Sequence, residues 1–233
     1  MALKTLSRVV CALRSFLRFL YSSERVPRNL AGAVAYPRLR RRDMPPRALP
    51  WSDVRRILRA INRKTRAGWR DYALLLTMAA YGLGAGEARG LTLGSMDWRR
   101  QRLCVVRPKT GRQINLPLLP GVAQALAAYL RHARPRHCTT RALFVRMRAP
   151  HTSFQSSGAI RHVLQKHAHA AGISAPFLGS HVLRHSHATR QIDQGASAAI
   201  VGDILGHRRP ESTSIYVRVA MRRLRGIALP VPQ

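Results

Sequence analysis

Apolar residues recur every three or four positions along most of the chain, a spacing typical of amphipathic helices. The first such stretch has leucine or valine at positions 3, 6, 10, 13, 17 and 20, with lysine and arginine among the positions between them. The same pattern predicts a helix over residues 52–61, with Ser52 as its N-cap, and a strongly apolar, buried helix over residues 71–83. Further helices are predicted over residues 122–132, 157–171, 181–194 and 196–205, and a last one from near Ser212.

Two short runs, residues 102–107 and 113–118, have the composition of β-strands. The four residues between them, Pro108 to Gly111, predict a hairpin in which Gly111 adopts a positive φ. The chain after position 50 is therefore expected to form a compact, mainly α-helical domain with a small β-hairpin.

Residues 36–50 interrupt the helical pattern with proline and arginine. This composition is typical of an extended linker, and its charge comes mainly from Arg38, Arg40, Arg41 and Arg42. The predicted organisation is thus an N-terminal helix with its following turn (1–35), a basic linker (36–50) and one larger domain (51–233).

The net charge narrows the possible partners. The 233 residues include 41 Lys and Arg against 9 Asp and Glu, a formal charge of +32. A polyanion would relieve this self-repulsion, so nucleic acid is the leading partner, although a solubilising surface or a coding bias toward arginine would give the same composition. Cys11, Cys104 and Cys138 are too widely spaced for a disulfide framework or a zinc ribbon, which favours a reduced cytoplasmic protein.

The residues most typical of catalysis lie near the end of the chain. His181 and Arg184 are three positions apart, a second histidine follows glycine at His207, and Tyr216 comes nine residues later. Each residue alone would usually be a surface or packing residue. In this order and spacing, residues 179–189, 204–207 and 212–216 resemble the second motif of the tyrosine recombinase (phage integrase) family, in particular its Xer-like members. Residues 108–118 resemble the family's β-hairpin.

The resemblance implies a fold and a mechanism. The fold would be mainly α with a small antiparallel β-sheet, and the protein would cleave and rejoin DNA through a 3′-phosphotyrosyl intermediate without metal, ATP or another cofactor. Tyr216 would be the nucleophile, His181 a base or hydrogen-bond partner, and Arg184 a fork on the phosphate oxygens. His207 would donate to the same phosphate, and Lys109 would protonate the leaving 5′ oxygen.

The resemblance also extends to assembly. Residues 6–34 resemble the last helix of the family's N-terminal core-binding domain, which clamps DNA, so a truncated form of that domain is expected. Double-stranded DNA would be bound by a homo- or hetero-tetramer whose protomers exchange C-terminal tails. The basic side chains expected on DNA are Arg38, Arg40, Arg41, Arg42 and Arg112.

One position departs from the family pattern. The family's first motif has an arginine that forms half of the phosphate clamp, and Gly84 stands in its place, three residues before Glu87. Arg89 could substitute for that arginine, as could an arginine from a partner. Two functions therefore stay open: an active recombinase, or a catalytically weak or inactive DNA-binding member of the same family.

Overall fold

The chain divides into two compact units, Met1–Pro45 and Pro46–Gln233. The computed structural model describes residues 3–37, 47–108 and 110–206. In the first unit, helix α1 (Leu3–Ser22) is followed by a short 3-10 turn (Leu30–Ala33). Arg14 Nη1 donates to Val34 O over 2.5 Å and thereby holds the two elements together.

The second unit contains seven of the described helices and a three-stranded sheet. In chain order they are α2 (Trp51–Arg59), α3 (Arg66–Tyr81), α4 (Ala85–Gly90), β1 (Met96–Asp97), β2 (Arg102–Val106), β3 (Gln113–Pro117), α5 (Pro120–His132), α6 (Ser157–Ala170), α7 (Val182–Asp193) and α8 (Ala198–Leu205). The prediction of a mainly α fold with a small antiparallel sheet is confirmed. In the described residues, no helix is long and apolar enough to cross a membrane.

Helix α3 is the central element of the second unit, with α5 and α7 packed against it. Its side chains Leu74 and Met78 are almost completely buried. The helix begins five residues before the predicted start because the hydroxyl of Thr65 accepts from the backbone N–H of Gly68 and caps it. Position 52 is also corrected: α2 begins at Trp51, and Pro50 rather than Ser52 occupies the N-cap position.

The sheet is antiparallel, in the order β1-β2-β3. Strand β2 pairs with β3 from Arg102 opposite Pro117 to Val106 opposite Gln113, and Gly111 in the connecting turn has the predicted positive φ of +67°. The hydroxyl of Tyr81, the last residue of α3, donates to Pro117 O (2.9 Å) and accepts from the N–H of Leu119 (2.9 Å). These two hydrogen bonds attach the sheet to α3. The end of α3 and the hairpin are therefore held at a fixed separation.

A buried ionic network joins α3 to α6. Asp71 accepts from Arg70 Nε (2.8 Å) and from His167 Nε2 (2.8 Å), and all three side chains are nearly inaccessible. Burial alone would raise the pKa of Asp71, but the hydrogen bond from His167 and the charge of Arg70 outweigh it and hold the pKa below its usual value. Asp71 is therefore ionised at neutral pH.

Gly82 ends α3 in the left-handed conformation, with φ +62°, and Gly82→Ala should destabilise the fold. A side chain there adopts an unfavourable backbone conformation that costs about 1–2 kcal/mol, and its Cβ would lie 2.7 Å from Leu205 Cδ2 and 2.8 Å from His187 Cδ2. Gly172→Ala is the matched control, because its φ is +66° and its nearest neighbour is 3.9 Å away. Urea denaturation should show the larger loss for Gly82→Ala, and equal losses would contradict this close packing.

Asp71→Asn should lower the free energy of unfolding at pH 7 by about 3 kcal/mol or more, because it leaves a buried arginine without its counter-charge. The lowered pKa of Asp71 means that its contribution is complete above the unfolded pKa and is lost as pH falls through the folded one. The difference from wild type should thus shrink as pH falls below about 4. Urea denaturation of both proteins across this pH range measures the difference. Asp53→Asn is the control: Asp53 forms a surface ion pair with Arg56, so its loss should change the free energy of unfolding little.

Candidate active site

The candidate site is built around the buried carboxylate of Glu87 in the short helix α4. Gly84 is the N-cap of this helix, and its backbone N–H donates to Glu87 Oε2 over 2.7 Å. Glu87 is only 8% exposed. A carboxylate this deeply buried needs a positive partner, because the cost of removing its charge from water is large.

Two guanidinium groups share that carboxylate. Arg184, in the first turn of α7, donates through Nη1 to Glu87 Oε2 (2.8 Å) and to Gly82 O (3.1 Å). Arg107, the residue after β2, donates through Nη1 to Glu87 Oε1. The side chains of Arg107 and Arg184 are 7% and 13% exposed. This cluster of two arginines and one glutamate has a formal charge of +1, so it favours an anion.

The same two arginines hold the end of α8. Arg107 Nη2 donates to Ile204 O, and Arg184 Nη2 donates to Leu205 O. The last carbonyls of a helix have no partner within the helix, and cations stabilise that end. Gly206 then ends α8 with φ +66°. The two guanidinium groups therefore position the chain immediately before His207.

His181 lies beside the same cluster. It occupies the N-cap position of α7 and is exposed. A Cβ on Gly84 would lie 3.5 Å from His181 Cε1 and 3.6 Å from Glu87 Oε2. Of the residues predicted from the sequence, His181 and Arg184 are thus both brought close to Gly84 and Glu87, and His181 is much more exposed than Arg184.

His187 adds no charge to this cluster. It packs beside Gly82, and its Nδ1 donates to Ala79 O over 3.0 Å. Burial lowers its pKa, and the charges of Arg184 and Arg190 lower it further, against the opposing effect of the bond to Ala79. The neutral imidazole of this α7 residue is therefore the form that packs against the end of α3.

The other predicted site residues lie elsewhere or outside the described residues. Arg89 Nε donates to Phe154 O over 2.7 Å, whereas the guanidinium groups that contact Glu87 belong to Arg107 and Arg184. Arg112 is exposed on the hairpin, where its backbone carbonyl accepts from the Arg107 N–H. Outside the residues that the structure describes lie Lys109, His207, Tyr216, Arg38, Arg40, Arg41 and Arg42.

Arg107 was not predicted as a site residue, although the sequence contains a signal for it. Alternate residues of a strand face the same side of the sheet. Leu103 and Val105 face the core, and this alternation places Arg107 on the buried face as well. An arginine on a buried face requires an acidic partner. Because the chain has only 9 Asp and Glu, few acidic partners are available, and the alternation of β2 therefore marks Arg107 as a candidate for a buried ion pair.

Comparison with known proteins decides the family. The model of the phage integrase family matches residues 47–223. This chain belongs to the phage integrase family. The resemblance inferred from the sequence is therefore confirmed.

Several family members are similar over most of the chain. A putative integrase/recombinase of Sinorhizobium fredii, y4rA, is 38% identical over 224 residues, which cover 96% of this chain and 54% of the relative. Tyrosine recombinase XerC of Pelotomaculum thermopropionicum is 33% identical over 97% of this chain and 74% of its own length. The chain spans about half the length of y4rA and of a second S. fredii relative, y4rF.

Solved structures of recombinases share the fold. XerA recombinase superposes with a TM-score of 0.66 at 24% identity, over 96% of this chain and 76% of XerA. A lambda integrase dimer bound to a COC′ core site gives a TM-score of 0.68 at 18% identity, over 97% of this chain and 61% of that one. The helical architecture and the small sheet are thus those of known integrase-family proteins.

Glu87→Gln should destabilise the integrase-family domain because two buried guanidinium groups would lose their shared counter-charge. We expect a loss of about 3 kcal/mol or more in the free energy of unfolding, measured by urea denaturation at low ionic strength. Asp203→Asn is the control: it removes the same charge from an exposed position of α8 and should change stability by less than about 0.5 kcal/mol. Equal stability of the two variants would show that Glu87 does not hold the site together.

Proposed function

We propose that this chain is a site-specific DNA recombinase of the tyrosine type, which cleaves and rejoins DNA strands through a 3′-phosphotyrosyl intermediate. The observation that carries the proposal is the buried Glu87 cluster with its formal charge of +1, which has His181 beside it. Membership of the phage integrase family, and the similarity to the tyrosine recombinases XerC and XerD, support it.

The proposed reaction is a transesterification. The Tyr216 hydroxyl attacks a backbone phosphate and loses its proton to His181; a new phosphorus–oxygen bond forms to Tyr216, and the bond to the 5′ oxygen breaks. Lys109 gives the 5′ oxygen its proton. The charge that develops on the non-bridging oxygens is balanced by Arg184 and by donation from His207. Because one phosphoester replaces another, the bond energy is conserved for rejoining without ATP.

The proposed substrate is double-stranded DNA. The charge of +32 supports a polyanionic partner. Among the structural relatives are a XerH recombinase bound to difH substrate and a lambda integrase tetramer bound to a Holliday junction. For this chain we propose the same class of ligand and a tetramer with exchange of C-terminal tails. Additional phosphate contacts are assigned to Arg112 and to the linker residues Arg38, Arg40, Arg41 and Arg42.

We further propose a role for each segment of the chain. Residues 1–35 are assigned to part of a core-binding, DNA-clamping domain, residues 36–50 to a basic linker, and residues 51–233 to the breaking and rejoining domain. The apolar side chains Val9, Phe16 and Phe19 of α1 are about half exposed.

Gly84 supports a second candidate function, that of a DNA-binding family member that positions other recombinases without cleaving efficiently. A glycine offers no guanidinium at a position that lies beside both His181 and Glu87. Loss of one charge-stabilising donor typically lowers the rate of such reactions by about 10²- to 10⁵-fold. The two functions differ in whether a covalent adduct with DNA forms.

A covalent-trapping experiment separates the two functions. The protein is incubated with a pool of duplexes that carry random sequence on both sides of a single nick, which lets the cleaved fragment diffuse away. DNA recovered after denaturation is sequenced. We expect an adduct on a defined sequence with wild type and none with Tyr216→Phe, because the phenylalanine has no nucleophile. Native binding that selects a defined sequence from the pool, without any adduct, would instead support the accessory function.

A further inference from the structure

We propose that Arg107 is the second phosphate-binding guanidinium of this site and acts there in place of an arginine at position 84. This inference rests on the proposed function, because it assigns a role in the same phosphoryl transfer. In the structure, one buried carboxylate, Glu87, is shared by two guanidinium groups that come from different parts of the chain.

The two arginines have equivalent contacts. Each donates through Nη1 to one oxygen of Glu87 and through Nη2 to one of the last two carbonyls of α8, those of Ile204 and Leu205. Arg107 therefore stands in the same relation to the carboxylate and to α8 as Arg184 does. An arginine whose task was only to neutralise Glu87 would be redundant, since Arg184 already does so.

Arg107 retains capacity for a ligand. A guanidinium has five N–H donors, and the contacts just described use two of them. Its Nε is buried and has no hydrogen-bond partner within the described residues. A buried donor without a partner is costly unless a ligand or water completes it. A phosphate oxygen is the acceptor that suits it best, because the fork of an arginine matches phosphate geometry.

The backbone around Arg107 is arranged to admit its side chain. A Cβ on Gly206 would lie 3.0 Å from Arg107 Nε and 3.3 Å from Cζ, so the guanidinium lies directly against the glycine that ends α8. Gly84 has no side chain, and its backbone N–H donates to the same Glu87 carboxylate to which Arg107 donates. The charge missing from position 84 is thus supplied at the same carboxylate by the residue after β2.

The test compares variants on two substrates of the trapped sequence. One has an ordinary phosphodiester at the cleavage position, and the other has a methylphosphonate, in which a methyl group replaces one non-bridging oxygen and removes the charge. Arg107→Met should slow adduct formation about 10²- to 10³-fold on the phosphodiester. The loss on the methylphosphonate should be about 10-fold or less, because the charge that the guanidinium balances is absent.

Arg70→Met is the matched control. Arg70 is another buried arginine, and its partner Asp71 lies in the separate network between α3 and α6. Its loss should affect both substrates by the same factor, as expected of a structural change. If Arg107→Met also affected both substrates by the same factor, the phosphate-binding role would be overturned and Arg107 would be a structural residue.

Arg107→Lys keeps the test decisive where Arg107→Met fails to fold. Lysine preserves the ion pair with Glu87 but cannot fork two oxygens. We expect adduct formation on the phosphodiester to fall by about 10-fold or more. Wild-type activity in Arg107→Lys would overturn the proposal, since it would mean that the residue at position 107 serves only to neutralise Glu87.

Restoring an arginine at position 84 tests whether the two positions share one role. In the wild-type background, Gly84→Arg should change the rate by less than about 3-fold, because the role is already filled. In the Arg107→Met background it should recover about 10-fold or more. Equal effects in the two backgrounds would mean that the positions act independently, which would overturn the substitution of one by the other.

One measurement does not depend on cleavage. Inorganic phosphate should raise the melting temperature of Arg70→Met more than that of Arg107→Met, since both variants lose one positive charge but only the second loses a phosphate contact. If wild type forms no adduct while this difference is present, the proposed reaction fails and the anion site stands. If wild type forms an adduct and the difference is absent, the reaction stands and the role of Arg107 fails.

Discussion

The rest of the site depends on the ion pairs that the Glu87 carboxylate forms with Arg107 and Arg184. This carboxylate links α4, the end of β2 and the first turn of α7 by direct hydrogen bonds, and through two guanidinium groups it also holds the end of α8. Elements from two distant parts of the chain, α4 and β2 from one and α7 and α8 from the other, therefore meet at one charged group. A hydrophobic contact could bring them together, but it would not orient the guanidinium groups, because burial has no directional preference.

This arrangement needs backbone that approaches closely, and glycine provides it at two helix ends. Gly82 ends α3 and leaves room for His187 and Leu205, while Gly206 ends α8 and leaves room for Arg107. Both have positive φ, which other residues adopt at a cost. The same residue type thus serves two purposes at each position: it ends a helix, and it lets a side chain from another element lie against the backbone.

The sequence predicts the long helices, the hairpin and the family, because each depends on local periodicity or on motifs with fixed spacing. Helices α6 and α8 begin within two residues of their predicted starts, and Gly111 has the expected positive φ. Helix α4 escaped prediction because six residues, two of them glycine, contain less than two turns of pattern. The start of α3 escaped because buried Arg70 and Asp71 interrupt its apolar face, and only the tertiary pairing with His167 explains them.

The site itself was less predictable than the fold. A motif specifies which residue type stands at a sequence position, but it does not specify which charged groups lie near each other in the folded structure. By position, Gly84 is a missing arginine. In space, a second guanidinium is present, because Arg107, the residue after β2, donates to the same carboxylate that the Gly84 N–H contacts. Electrostatic stabilisation of a phosphate depends on where the donors lie relative to the charge and not on the element that supplies them. A glycine at a motif position is therefore insufficient grounds for inferring an inactive site; the buried carboxylate and the count of its cationic partners are the better criterion.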